Sequence, residues 1–322
     1  MKQNHNIKRL LSENSAIVAF IVLLIAATLL KGTTFLNIRN LTNIFLNNSI
    51  IGIVALGMTL IIITGGIDLS VGSQLAATGL MTVFVLNQTG SILLGILSGI
   101  CMGVVMGLCA GTLIAKCGIP AFIVTLGTMS IYRSVSQYFF KGGGILAQGA
   151  AMEPFVAISN TRLFGVLPLP IIYWLLLAAL VAVFTTRMAT GRRVYAVGSN
   201  EKAAKLSGIN VQKIKIITYM ISGALVGIAS VVEASRLGSM NSASSGTSYE
   251  MDAIAAVVIG GTSMSGGRGK ILGTVFGTLT LGLINNMMNL LGVPTFLVAA
   301  IKGAIIIIAV LFQRQLDTRE NE

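Results

Sequence analysis

Four long runs of this chain carry no aspartate, glutamate, lysine or arginine: 69–115, 163–186, 271–301 and 303–313. A helix needs about 20 apolar residues to cross a bilayer, so the first run alone has room for two crossings. Only 10% of the 322 residues are charged, whereas a soluble domain needs roughly a quarter of its residues charged to cover its surface. A soluble fold is excluded. The pattern predicts an all-α, polytopic membrane protein of about ten transmembrane helices, with broken or re-entrant segments where an apolar stretch is short.

Apolar segments fall near 15–30, 44–64, 70–87, 91–115, 119–140, 168–186, 214–235, 251–264, 271–290 and 294–312. Segment 251–264 is too short for a full crossing and reads as broken or re-entrant. The run Ala16–Leu30 follows Lys8 and Arg9 like a signal peptide. It leads into "KGTTF" without a small-x-small cleavage site, so it reads as an uncleaved first span. The domain layout is then a tail 1–14, one transmembrane domain 15–312 and a tail 313–322. Stretches 141–167 and 236–250 read as polar loops.

The net charge is +12. It gathers between spans: Arg187, Arg192, Arg193, Lys202, Lys205, Lys213 and Lys215 lie in 187–215 against one acid, Glu201. That is the positive-inside signature rather than a nucleic-acid footprint. Placing this loop in the cytoplasm puts both termini inside as well. Cys101, Cys109 and Cys117 fit no zinc spacing and have no His or carboxylate nearby, so they read as small packing residues. His5 lies in the polar tail.

The chain repeats itself. "GIPAFIV" at 118–124 returns as "GVPTFLV" at 292–298, and "GGIDLSVG" at 65–72 returns as "GGTSMSGG" at 260–267. The first pair is 174 residues apart and the second 195, so one duplication cannot produce both. The proline frame has corresponding flanking spans and implies inverted halves of about 44–140 and 214–312, a transporter habit.

Within "TGGIDLSVGS", 64–73, Gly65 and Gly66 weaken the helix, and Asp68 is costly in lipid by roughly 3 kcal/mol on insertion scales. Two readings stay open. Gly65, Gly66, Asp68 and Ser70 line or gate a pathway, or Asp68 caps the following helix by accepting from amides near Ser70 and Val71. "GGTSMSGGRGK", 260–270, lacks the Gly-Lys-Ser/Thr of a phosphate loop, so it reads as a turn, with Arg268 and Lys270 on the cytoplasmic side. No nucleotide, metal or nucleophile–base constellation is present, so no cofactor is called for and ATP hydrolysis falls to another chain. Asn285, Asn286 and Asn289 can bond sugar hydroxyls or a neighbouring helix. Arg133 and Lys302, within apolar segments, read as packing or topology residues that either pair with polar groups around Glu233 and Arg236 or snorkel to an interface.

The segment "GRRVYAVGSNEKAAKLSGINVQKIKI", 191–216, outlines a short helix. Asn200 is its N-cap, Glu201 complements its positive end and Gly208 stops it. Ala203, Ala204 and Leu206 form a small apolar ridge suited to a groove on a partner.

Taken together, "GGIDLSVGS", "GRRVYAVGSNEKAAKLSGINV", "YEMDAIAAVVIGGTSMSGGRGKILGT" and "NNMMNLLGV" resemble the permease of bacterial ATP-binding-cassette sugar importers, over roughly residues 16–312. Ribose, xylose, galactose, allose and autoinducer-2 permeases are the closest kin. The resemblance implies a monosaccharide pathway and two permease copies or a close pair. It also implies cytoplasmic ATPase subunits and a periplasmic or lipid-anchored sugar-binding protein. It places the ATPase-coupling helix at Asn200–Gly208 with Gly191 and Arg192 at its lead-in, and puts Asp68 and Ser70 in an Asp-Leu-Ser hallmark. Tyr249, Glu250 and Asp252 fall in a Tyr-Glu-x-Asp stretch near the outer face. The rival reading is a stand-alone secondary transporter or channel, which needs intramembrane titratable groups to couple ions.

Overall fold

The computed structural model describes residues 15–320; the tail 1–14, with His5, and residues 321–322 lie outside the described residues. Helix α1 (Ser15–Leu36) leads to Asn37, whose side chain accepts from the Arg39 amide and caps α2 (Ile38–Ile63). Next come α3 (Val71–Thr89), α4 (Ile92–Lys116) and α5 (Ala121–Phe139). Each is punctuated by local chemistry. Gly90 ends α3 with φ 67°, the Ser91 side chain caps α4, and Gly118 and Pro120 separate α4 from α5. The stretch expected as an open loop at 141–167 instead holds strand β1 (Gly144–Leu146), helix α6 (Met152–Asn160) and the small hairpin of β2 (Arg162–Leu163) with β3 (Leu167–Pro168).

Helix α7 (Leu169–Arg187) returns to the basic segment, which folds as α8 (Ala189–Ser199) and α9 (Glu201–Leu206). Then follow α10 (Val211–Leu237), β4 (Ser239–Asn241), α11 (Tyr249–Ile259), α12 (Ile271–Leu290) and α13 (Thr295–Glu320). The expected tail from 313 is not marked by a helix end, because α13 continues to Glu320. Strand β4 also lies in a stretch expected as loop. It pairs antiparallel with β1, Gly144 opposite Asn241 and Leu146 opposite Ser239. This pairing satisfies backbone groups that an apolar surrounding would leave bare.

Six of the described helices are long and apolar enough to cross a bilayer: α1 from Ala16, α2, α4, α7, α10 and α12. Helices α3, α5 and α11 are shorter or more polar, and the apolar stretch of α13 runs Phe296–Ile308. The chain is a polytopic helical membrane protein. Helix α2 is its centre, with 83% of its most apolar window buried against 11% for α1. Ile53, Leu56 and Leu60 of α2 share one core with Leu75 of α3, Trp174 of α7, Val226 of α10 and Ala256 of α11.

Apolar helices gain little by hiding from lipid that is as apolar as they are, so close backbone packing must hold them together. Helix α4 supplies it with glycines every fourth residue. Gly103 abuts the Gly223 carbonyl, Gly107 the Tyr219 carbonyl and Gly99 meets Gly227, an antiparallel pairing of α4 with α10. On the same stripe Gly95 and Gly99 face Thr82 and Thr78 of α3. Cys101 and Cys109 lie exposed on the outer side of α4 and Cys117 lies exposed just past its end, so none takes part in packing within the bundle.

Segment 251–264, expected to be broken or re-entrant, lies in the short helix α11 and the turn after it, and the non-helical stretch just before α11 has a partner. After β4 the chain runs without helix from 242 to 248 before α11 begins. Before α3 it runs without helix from 64 to 70. The two breaks meet where Gly72 and Gly246 press together reciprocally, each position closed by the other's carbonyl. From Gly72 to Asn87, which bonds the Leu146 carbonyl beside β1, α3 rises about 22 Å at 1.5 Å per residue. From Tyr249 to Ile259, α11 descends about 15 Å to the opposite end. The breaks therefore meet in the middle of the bundle. Tyr249, Glu250 and Asp252 open α11 just after that meeting point, with Glu250 Oε2 beside Gly72.

Gly103→Val should force α4 off α10 and cost about 1–3 kcal/mol by overpacking. The expected outcome is a melting temperature several degrees lower for the detergent-purified protein. Val105→Ala, on the exposed side of α4, should leave it unchanged.

Candidate functional site

The unwound stretch 64–70 is held by donors from two helices. The Ile67 carbonyl accepts from the Tyr219 hydroxyl of α10 (3.2 Å) and the Thr125 hydroxyl of α5 (3.4 Å). Asp68 is 1% exposed. Its Oδ1 accepts from the Ser70 amide (2.8 Å) and hydroxyl (2.6 Å), and the Gln74 side-chain amide donates to Ser70 Oγ (2.7 Å). Asp68 thus serves the first turn of α3, accepting at Ser70 as the capping reading expects, and it complements the positive end of that helix. Asp68 and Ser70 are both closed off from any open path in this conformation. Gln74 Oε1 is buried with no partner among the described residues.

At the basic end, the two glycine-rich motifs are neighbours in space. The Gly267 amide donates to the Ile63 carbonyl (2.8 Å), and Gly266 lies against the backbone of Gly65 and Ile63. Their likeness 195 residues apart thus marks two sides of one junction. Helix α8 is laid across it. Gly198 touches the Ile63 carbonyl and the Gly267 amide so closely that no side chain fits, and the Tyr195 hydroxyl donates to the Gly269 carbonyl (2.9 Å). Gly191 gives α8 the same closeness to Phe184 and Thr185 of α7. Arg192 donates to the Arg187 carbonyl (3.0 Å).

Helix α9 follows as the Asn200 and Gly208 signals predict. Asn200 Oδ1 accepts from the Ala203 amide (2.9 Å), Glu201 pairs with Lys215 (2.7 Å), and Gly208 takes φ 79°. The expected ridge divides. Ala204 is 5% exposed and packs with Val194, Val197, Val211 and Ile63 of the chain itself. Ala203 and Leu206 point outward, Leu206 with 89% exposure. Ala204 is therefore a foot of the helix and not part of its outward face. Beneath α9 a cavity of about 710 Å³ opens between Gly65, Gly66, Pro120, Lys205 and Lys215.

The remaining expected site residues separate. Asn286 exchanges side-chain bonds with Asn40 of α2 (2.7 and 3.2 Å), which is the neighbouring-helix alternative. Asn285 is half-buried with its Oδ1 unpartnered among the described residues, and Asn289 is exposed. Lys302 pairs with Asp252 (2.9 Å), and Arg133 donates to the carbonyls of Ser242 (3.0 Å) and Ser245 (2.9 Å). Neither takes the partner expected around Glu233 and Arg236; Arg236 bonds Asn47 instead (2.6 Å).

Residues 40–310 match the family described as the permease component of branched-chain amino acid transport systems. The chain belongs to this family. Among curated relatives, the ribose import permease protein of Escherichia coli K12 is 40% identical over 311 residues, 94% of each chain. That of Bacillus subtilis 168 is 42% identical over 296 residues, 92% of this chain and 90% of the relative. The L-arabinose transport system permease protein of E. coli K12 is 38% identical over 317 residues, 97% of this chain and 94% of the relative. No solved structure matches the chain.

Several parts of the permease site carried no motif in the reading of its sequence. The glycine stripe of α4 was open to inspection, since Gly95, Gly99, Gly103, Gly107 and Gly111 recur at one helical face. Tyr195 and Gly198 had no such signal, because each meets a distant backbone, at Gly269 and at Ile63 and Gly267.

Asp68→Ala should strand the Ser70 amide and hydroxyl inside the bundle, at about 1–3 kcal/mol for each group left unsatisfied. Asp68→Asn keeps an acceptor at Oδ1. Thermal unfolding of the purified permease should rank wild type above Asp68→Asn, and Asp68→Asn well above Asp68→Ala.

Proposed function

We propose that this permease is the membrane-spanning subunit of an ATP-binding-cassette importer for a neutral monosaccharide, ribose-like in class. The sugar is delivered by a substrate-binding protein, and ATP is hydrolysed by separate ATPase subunits. The permease forms the path and performs no catalysis. The observation that carries the reading is the capped helix α9, which presents Leu206 outward from a segment packed against the end of α2 and the turn 260–270. A partner that grips α9 moves α8, which touches Ile63 and Gly267 at Gly198 and donates a hydrogen bond from Tyr195 to the Gly269 carbonyl.

The family description names branched-chain amino acids, whereas the relatives matched along nearly their whole length are named for ribose and L-arabinose. The middle of the bundle favours a neutral sugar. A half-helix end pointing into a transporter core attracts an anionic substrate group. Here Asp68 complements the start of α3 and Glu250 Oε2 lies beside Gly72, so the protein's own carboxylates occupy that end.

Ten crossings with both termini in the cytoplasm complete the reading, the basic end being inside. The halves near 44–140 and 214–312 are taken as an inverted repeat. Adding the 174-residue spacing to α2 reaches 212–237 against the observed Val211–Leu237, and it carries Gly72 onto Gly246. A second permease copy in the lipid bilayer completes the pore.

In vesicles, the permease with its ATPases and binding protein should concentrate D-ribose or a related pentose on ATP addition, and the permease alone should not. Accumulation by the permease alone would overturn the reading. Leu206→Asp should lower ATPase association at least tenfold while leaving the melting temperature of the isolated permease unchanged. Ala204→Asp should lower that melting temperature as well, since it buries a charge inside the permease itself.

A further inference from the structure

The stretch 242–248 poses a solvent problem. It is non-helical, it lies at the depth where Gly246 meets Gly72, and Ser244 and Thr247 on it are exposed. Glu250 is half-exposed just below, and Met251 is 59% exposed beside it. Irregular backbone is not tolerated against hydrocarbon at such depth; it lies against protein or water. The charges around it agree. Arg133 of α5 holds the Ser242 and Ser245 carbonyls on one flank, the Lys302–Asp252 pair ties α11 to α13 on the other, and Glu250 lies within electrostatic reach of Arg133. Ionised groups at membrane depth face the bundle interior or a wet cavity.

A dry protein contact fits poorly. The Thr247 hydroxyl is turned back onto the Ser244 carbonyl (2.9 Å), and the Ser244 and Ala243 amides are satisfied by Asn241 Oδ1 (2.9 and 2.8 Å). The turn is thus self-satisfied and needs no partner chain to complete its backbone bonds. What it leaves outward is a row of two hydroxyls, one carboxylate and one thioether.

We infer that Ser244, Thr247, Glu250 and Met251 form the sugar-handling surface half-way along the transport path, an inference that rests on the importer reading. The chemistry suits a monosaccharide. The hydroxyls and the Glu250 carboxylate exchange hydrogen bonds with ring hydroxyls, and the Met251 side chain covers an apolar C–H face. The surface brackets the Gly72–Gly246 contact, with Ser244 before it and Thr247, Glu250 and Met251 after it, so movement of either helix break changes its exposure.

The test uses the full permease assembled with its ATPases and binding protein in vesicles, with Cys101, Cys109 and Cys117 replaced by alanine. Thr247→Cys should react with a charged, membrane-impermeant methanethiosulfonate reagent at least tenfold faster than Val105→Cys on the outer side of α4, and the modification should stop D-ribose uptake. Equal rates at the two positions would overturn the inference. Thr247→Val, which keeps the shape and removes the hydroxyl, should lower the maximal uptake rate several-fold at saturating binding protein, with the melting temperature unchanged. An unchanged uptake rate would reduce the surface to a wetted wall and overturn the sugar contact. If the assembly carries no pentose at all, the importer reading fails instead, while the thiol rates still report whether the surface is wet.

Discussion

The reciprocal approach of Gly72 and Gly246 is the contact on which the middle of this permease depends. Two chains can come that close only where neither carries a side chain, and each glycine blocks the position a Cβ would occupy on the other. The closeness joins two interrupted crossings. Helix α3 begins at this point and climbs; the stretch 242–248 descends to it, and α11 continues to the opposite end. Breaking two helices inside an apolar medium exposes backbone groups that must be satisfied locally. The surrounding chemistry answers that demand: Asp68 at Ser70, Tyr219 and Thr125 at Ile67, Arg133 at Ser242 and Ser245.

The same need for closeness recurs along the helices. The glycines of α4 let it lie against α10 on one side and α3 on the other, where dispersion and backbone contact replace a hydrophobic drive that lipid does not supply. The junction of Ile63, Gly198 and Gly267 repeats the device at the basic end. There it serves connection, because α8 lies against the end of α2 and the turn 260–270, where Gly198 touches Ile63 and Gly267 and Tyr195 donates to the Gly269 carbonyl. Helix α9 is fixed to the same corner through Ala204, which packs with Ile63, Val194, Val197 and Val211.

Charge placement follows the same logic of local satisfaction. Lys302 and Asp252 pair across α13 and α11, and Arg133 is held by carbonyls. Sequence spacing could not predict these partners. Lys302 and Asp252 stand 50 residues apart, and Arg133 reaches a turn more than 100 residues on. The reading that paired them with groups near Glu233 and Arg236 put them in the right part of the chain but could not choose among neighbours brought in by the broken crossing.

The sequence by itself determined the membrane setting and the short helix that Asn200 opens and Gly208 follows. Each of these rests on local chemistry: uncharged length, a capping asparagine, a glycine able to take positive φ. It also supplied the proline frame whose 174-residue spacing recurs in the helix bounds. Only the tertiary structure decided that Ala204 faces inward, that Asn286 pairs with Asn40, and that Asp68 is sealed into the start of α3. It also decided that the Tyr249–Asp252 stretch opens α11 beside the Gly72–Gly246 contact. Those outcomes depend on which backbones approach within a side chain's width, and a property of two distant segments is carried by neither one alone.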